Sequence, residues 1–97
     1  MNFVVTAMDY KDEAALGRRL KMRDAHLSGL SELVAKGHFL SGGAILNDDG
    51  KMIGSSAHVC FEDEEQLYTW INKDPYILGK VWEQVDVRKI GLFPVKR

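Results

Sequence analysis

His38 to Phe61 read HFLSGGAILNDDGKMIGSSAHVCF. Two β-rich runs, HFLSGGAIL and MIGSSAHVCF, flank NDDGK, and an Asp-Gly between apolar runs is a strong hairpin signal. Working outward, NFVVTAM opens the chain as a strand, and DYKDE supplies turn and helix-start chemistry. From about Asp12 to Lys36 the pattern is helical. Leu16, Leu20, Leu27, Leu30 and Val34 recur at helical spacing and are expected in the core, and Gly37 is a natural stop. After the hairpin a second helix starts at Asp63, with Gln66 as its capping-box partner and Leu67, Trp70 and Ile71 on one face. Asp74-Pro75 begins a short helical turn, and KVWEQVDVRKIGLF closes the chain as a strand. The order β-α-β-β-α-β predicts an α+β, ferredoxin-like domain, a four-stranded antiparallel sheet with its helices on one face.

The 97 residues suit a single domain over residues 1–97. Hydrophobic residues at 45% and charged residues at 28% are ordinary globular values, and a net charge of −1 argues against a phosphate-backbone binder. No apolar run approaches the ~20 residues of a membrane span. Cys60 is the only cysteine, so no intrachain disulfide forms, and a reduced, cytoplasmic setting is expected. Strand alternation assigns Phe3, Val5 and Ala7 to the helix side. It assigns Val4, Met8, Leu40, Ala44, Leu46, Met52, Cys60, Trp82 and Ile90 to the opposite face. So apolar a face predicts a homodimer packed sheet to sheet, with Trp82 and Met52 near the buried surface.

His26, Arg19 and Arg23 project from roughly one side of the long helix. A histidine beside leucines reads either as a half-buried core residue or as a proton carrier. Asp74 before Pro75 reads as an N-cap, a role that leaves one carboxylate oxygen for an imidazole. Ser55 falls on the helix side of its strand, where a hydroxyl needs a partner because an unsatisfied buried polar group costs about 1–3 kcal/mol. Glu83, on the Val81/Val85/Val87 side of the last strand, is a second inward candidate. No metal or other cofactor is expected: His26, His38, His58 and Cys60 are scattered, and His58-x-Cys60 offers two ligands where a closed zinc site takes four.

RDAHLSGL, GHFLSGGA, GSS and DPYILGKVWEQVDV, in that order along the chain, resemble the YCII-related (YciI-like) family. The resemblance implies a dimeric ferredoxin-like domain of the dimeric α/β-barrel type, similar in fold to small cofactor-independent monooxygenases and muconolactone isomerases. It also implies a site built from histidine and aspartate, carried here by His26 and Asp74 with Ser55 nearby. Some relatives are associated with lyase or dehydrochlorinase chemistry on hydroxylated aromatic rings. The chain departs from the family pattern at Asp24 and Ala44, where members often carry proline. The expectation is general acid–base chemistry by the His26–Asp74 pair on a small anionic or hydroxylated aromatic molecule. Arg19 or Arg23 would hold its anionic group, and Ser55 and Tyr76 would orient it. The alternative is a non-catalytic dimeric binding or accessory protein using the same pocket.

Overall fold

The computed structural model describes residues 1–95. Its elements are β1 (Asn2–Asp9), α1 (Ala15–Ala35), β2 (Phe39–Leu46), β3 (Met52–Cys60), α2 (Glu64–Lys73), α3 (Pro75–Leu78) and β4 (Trp82–Lys89). The four strands form one sheet in the order β2-β3-β1-β4, and every neighbouring pair is antiparallel. This is the expected ferredoxin-like arrangement. The β2–β3 hairpin closes through Asn47, whose side-chain oxygen accepts from the backbone N–H groups of Asp49 and Lys51. Gly50 takes the left-handed conformation there, at φ 77°, which only glycine adopts without strain. Helix α2 is capped as expected, Asp63 accepting from the Gln66 N–H at 2.9 Å. No helix of the described residues is long and apolar enough to cross a membrane.

Phe3, Val5 and Val59 from the sheet pack with Phe61 and with Leu67 and Ile71 of α2 to form the larger core cluster. A second cluster joins Ala7, Tyr76, Val81 and Trp82. Helix α1 contributes little to either, and this corrects the leucine stripe. Leu20, Leu27 and Val34 are exposed, and the buried residues of α1 are Ala15, Arg19 and His26. The reason is geometric. Arg19, His26 and Leu33 share a seven-residue spacing, and Leu20, Leu27 and Val34 repeat it one residue, or about 100°, further round the helix. Helix period alone favours neither row.

The assignment of Ala44, Met52 and Trp82 to the outer face is also overturned, and β-bulges are the cause. Met8 pairs with Gln84 but Asp9 pairs with Trp82, so Glu83 is the extra residue. Trp82 and Val85, three apart, therefore both face the helices, and Glu83 is exposed rather than inward. Similar shifts leave Leu40 unpaired in β2 and Ile53 unpaired in β3. Phe39 with Gly42, and Met52 with Ser55, thereby reach the helix side, and Ala44 follows because it pairs with Ser55. One inserted residue reverses the alternation beyond it.

The position of Trp82 is open to test. At 5% exposure, packed against Ala7 and Tyr76, its truncation in Trp82→Ala is expected to lower stability by about 3–5 kcal/mol in urea unfolding. A loss under 1 kcal/mol would return Trp82 to the solvent face.

Candidate active site

Between α1 and the β2–β3 half of the sheet lies a cavity of about 270 Å³, near the lower end of the ~300–1,000 Å³ range of small-molecule sites. The walls of this one-ring-sized space include Arg19, Arg23 and His26 of α1, Phe39 and Ala44 of β2, Met52 and Ser55 of β3, and Tyr76 and Trp82.

His26, in the cavity wall, meets Asp74, 48 residues away and behind that wall: His26 Nδ1 stands 2.8 Å from Asp74 Oδ1 and 3.0 Å from Oδ2. Both side chains are buried. Asp74 also caps α3, accepting from the Tyr76 N–H at 2.9 Å. The oxygen that caps, Oδ1, is also the one nearest the imidazole, so the two roles converge on one atom instead of dividing between two. Gly79 permits the close approach of α1 to α3: a Cβ there would stand 2.6 Å from Met22 Cγ. A carboxylate only accepts, so Nδ1 carries a proton, and in the neutral ring Nε2 is the nitrogen with the lone pair. No hydrogen-bond partner for Nε2 exists among the described residues, and His26 lines the cavity.

The imidazole is fixed by its neighbours as well as by Asp74. Tyr76 stacks on it at 3.8 Å and 13°, and Trp82 meets it edge-on at 5.6 Å. The Arg19 guanidinium also lies over the Tyr76 ring, 4.7 Å from its centre. Burial pushes the Tyr76 hydroxyl above the usual phenol range, and Arg19 and Arg23 pull part of the way back. Tyr76 is therefore a neutral hydrogen-bond donor near pH 7.

Asp9 was not among the residues singled out from sequence, yet it anchors the site. Arg19 Nη1 donates to both Asp9 oxygens, at 2.8 and 2.9 Å, and the pair is buried. Arg19 Nη2 donates to Ser55 Oγ at 2.8 Å, and Trp82 Nε1 donates to the same oxygen at 3.1 Å. The signal for Asp9 was present: it continues the inward alternation of Phe3, Val5 and Ala7. Trp82 carried no such signal, because its direction depends on the bulge. Burial raises the Asp9 pKa above its ordinary 3.8, and the hydrogen bonds and charge of Arg19 oppose that rise. Arg19 therefore faces the cavity with its charge already matched by Asp9. Arg23, exposed at the cavity wall, makes no ion pair among the described residues. Among these residues no group of three or more His, Cys, Asp or Glu side chains is placed to hold a metal ion.

Comparison with known proteins extends this picture. The family model described as the YCII-related domain matches residues 1–91. Protein YciI of Escherichia coli O6:H1 is 35% identical over 94 residues, covering 91% of this chain and 94% of the relative. An uncharacterized protein of Haemophilus influenzae is 29% identical over the same length and coverage. Among solved structures, 5-chloro-2-hydroxyhydroquinone dehydrochlorinase (TftG) of Burkholderia phenoliruptrix, in complex with 2,5-dihydroxybenzoquinone, superposes with a TM-score of 0.82. It covers 94% of each chain at 24% identity, and so supports the fold.

The buried ion pair predicts a pH-dependent phenotype. In Arg19→Met only burial acts on Asp9, whose folded-state pKa then rises further above the unfolded value. A group raised in this way contributes stability below its unfolded pKa and loses it as pH rises through the folded one. The stability loss is expected to be about 3 kcal/mol at pH 7 and clearly smaller at pH 4 by urea unfolding. An equal loss at both pH values would refute the pairing.

Proposed function

This chain belongs to the YCII-related domain family, and from the chemistry of its cavity we propose that it is a small-molecule enzyme using His26 as general base, oriented by Asp74. One observation carries the reading: the imidazole is held at Nδ1 by a buried carboxylate while Nε2, without a protein partner, belongs to a ring that lines a one-ring-sized cavity. Asp74 keeps the base in the Nδ1–H tautomer, with the Nε2 lone pair free, and stabilises the imidazolium once it forms. The proposed substrate is a single hydroxylated aromatic ring, in line with the aromatic walls and with the dihydroxybenzoquinone held by the structural neighbour. Arg23 would receive an anionic substituent, and Ser55 and Tyr76 would orient the ring oxygens, while Arg19 acts through Ser55 and Tyr76.

The reaction proposed is an elimination. His26 Nε2 accepts a hydroxyl proton and returns it to the chlorinated ring carbon, giving the keto tautomer. Loss of a second hydroxyl proton then pushes its electron pair through the ring, and a leaving group such as chloride departs with its bonding pair to leave the quinone. Proton and halide leave as HX, so the step needs no oxidant or reductant. The proposed setting is cytoplasmic, without a nucleic-acid or membrane partner. A second copy covers the outer face of the sheet, where Met8 and Ile45 flank Gly54.

With 5-chloro-2-hydroxyhydroquinone as substrate, chloride release is expected from the wild type and at least ~100-fold less from His26→Asn. Asp74→Asn should lose rate while keeping near-normal stability, because asparagine is also a competent N-cap. Equal turnover by His26→Asn would overturn the base assignment; ring binding by thermal shift with no turnover would favour the accessory-protein reading. For the second copy, sedimentation at micromolar concentration is expected to give a dimer, and a monomer would exclude it.

A further inference from the structure

Ser55 has an unusual hydrogen-bond balance. Its oxygen accepts from Arg19 Nη2 at 2.8 Å and from Trp82 Nε1 at 3.1 Å. Guanidinium and indole N–H groups only donate, and a serine hydroxyl has two lone pairs and one hydrogen. Both lone pairs are therefore occupied, and the only hydrogen bond left to Ser55 is one that it donates. The chain supplies no acceptor for that hydrogen among the described side-chain contacts, and Ser55 lines the cavity. Accepting from a guanidinium also polarises the hydroxyl, which strengthens its own donation.

We infer that Ser55 is a one-way donor that selects an anionic oxygen on the ligand, so that the cavity binds the phenolate or enolate form of a small ring in preference to the neutral form. Tyr76, a neutral phenol on the same cavity, is placed to add a second donor. Asp9 makes the device work by matching the Arg19 charge. The guanidinium is thereby fixed on Ser55 instead of swinging toward the ligand. Discrimination then comes from a directed hydrogen bond rather than from a loose cation, in the manner of donors aimed at developing negative charge. The inference rests on reading the cavity as a small-molecule site. It adds to His26, which removes the proton, a group that stabilises the charge left behind.

The test uses 4-nitrophenol, whose ionisation is visible in its absorbance, titrated with the full-length protein across pH. The separate affinities of phenol and phenolate give the pKa of the bound probe. Ser55→Ala is expected to weaken phenolate binding about tenfold or more and leave phenol binding unchanged, which raises the pKa of the bound probe by about one unit. Ser55→Thr, which retains the hydroxyl, should keep the wild-type titration. Ser55→Cys, nearly isosteric but a poor donor, gives the same readout should the alanine variant not fold. If both affinities fall together and the titration stays put, Ser55 is only structural and the inference fails. A phenolate preference that survives His26→Asn but is lost in Ser55→Ala is the expected result, and the same preference in a wild type that releases no chloride overturns the base assignment and leaves this inference standing. Failure of either form to bind at millimolar concentration overturns both.

Discussion

Asp74 joins three parts of the molecule. Its carboxylate caps α3 through the Tyr76 N–H and holds the imidazole of α1, while the backbone N–H of the same residue closes α2 on the Ile71 carbonyl. With that carboxylate in place, the Tyr76 ring is set beneath His26 by its own backbone, two residues from the cap. Trp82 then closes the third side, edge-on to both rings. A buried acceptor with several donors is stable only when its geometry is held from all sides. Here Met22, lying against Gly79, presses α1 onto α3 beside the contact.

The other consequence is the character of α1. A surface helix ordinarily turns its apolar stripe inward. This one buries an arginine and a histidine, and leaves Leu20, Leu27 and Val34 in solvent. Such an arrangement is tolerable because each buried polar side chain has a counterpart on another element: Asp9 on β1 for Arg19, Asp74 at the start of α3 for His26. The cavity lies between this face of α1 and the sheet. The dry core lies elsewhere, where α2 covers Phe3, Val5 and Val59. The second cluster, with Ala7, Tyr76 and Trp82, borders the cavity, so part of the core doubles as its wall.

Much of this was legible before any coordinates. The hairpin at Asn47–Lys51, the cap at Asp63 and the helix restart at Pro75 are local chemistry, decided by residues within a few positions of each other. The pairing of His26 with Asp74 was implied by the family resemblance, whereas Ser55 stood out because a polar residue on an inward face needs a partner. Asp9 obeyed the same rule and was readable by extending the β1 alternation two residues further. Arg19 was identified as a charge for the ligand, but which carboxylate it met was not local information. The Trp82 orientation was beyond reach, since a bulge at Glu83 has no marker such as glycine in VWEQV.

Local rules, period and capping, were enough for the sequence by itself to determine the element order, the antiparallel sheet and the inward direction of Ser55. What the tertiary structure decided was every choice between two equivalent patterns. On α1 two seven-residue rows lie one position apart, and only the positions of Asp9 and Asp74 select the polar one for burial. Along β2, β3 and β4, one unpaired residue in each strand reverses the facing of Ala44, Met52 and Trp82 relative to simple alternation, and brings them to the cavity. Periodicity fixes which residues share a face. Which face is buried depends on partners far along the chain, and those meet only when the sheet and helices are assembled.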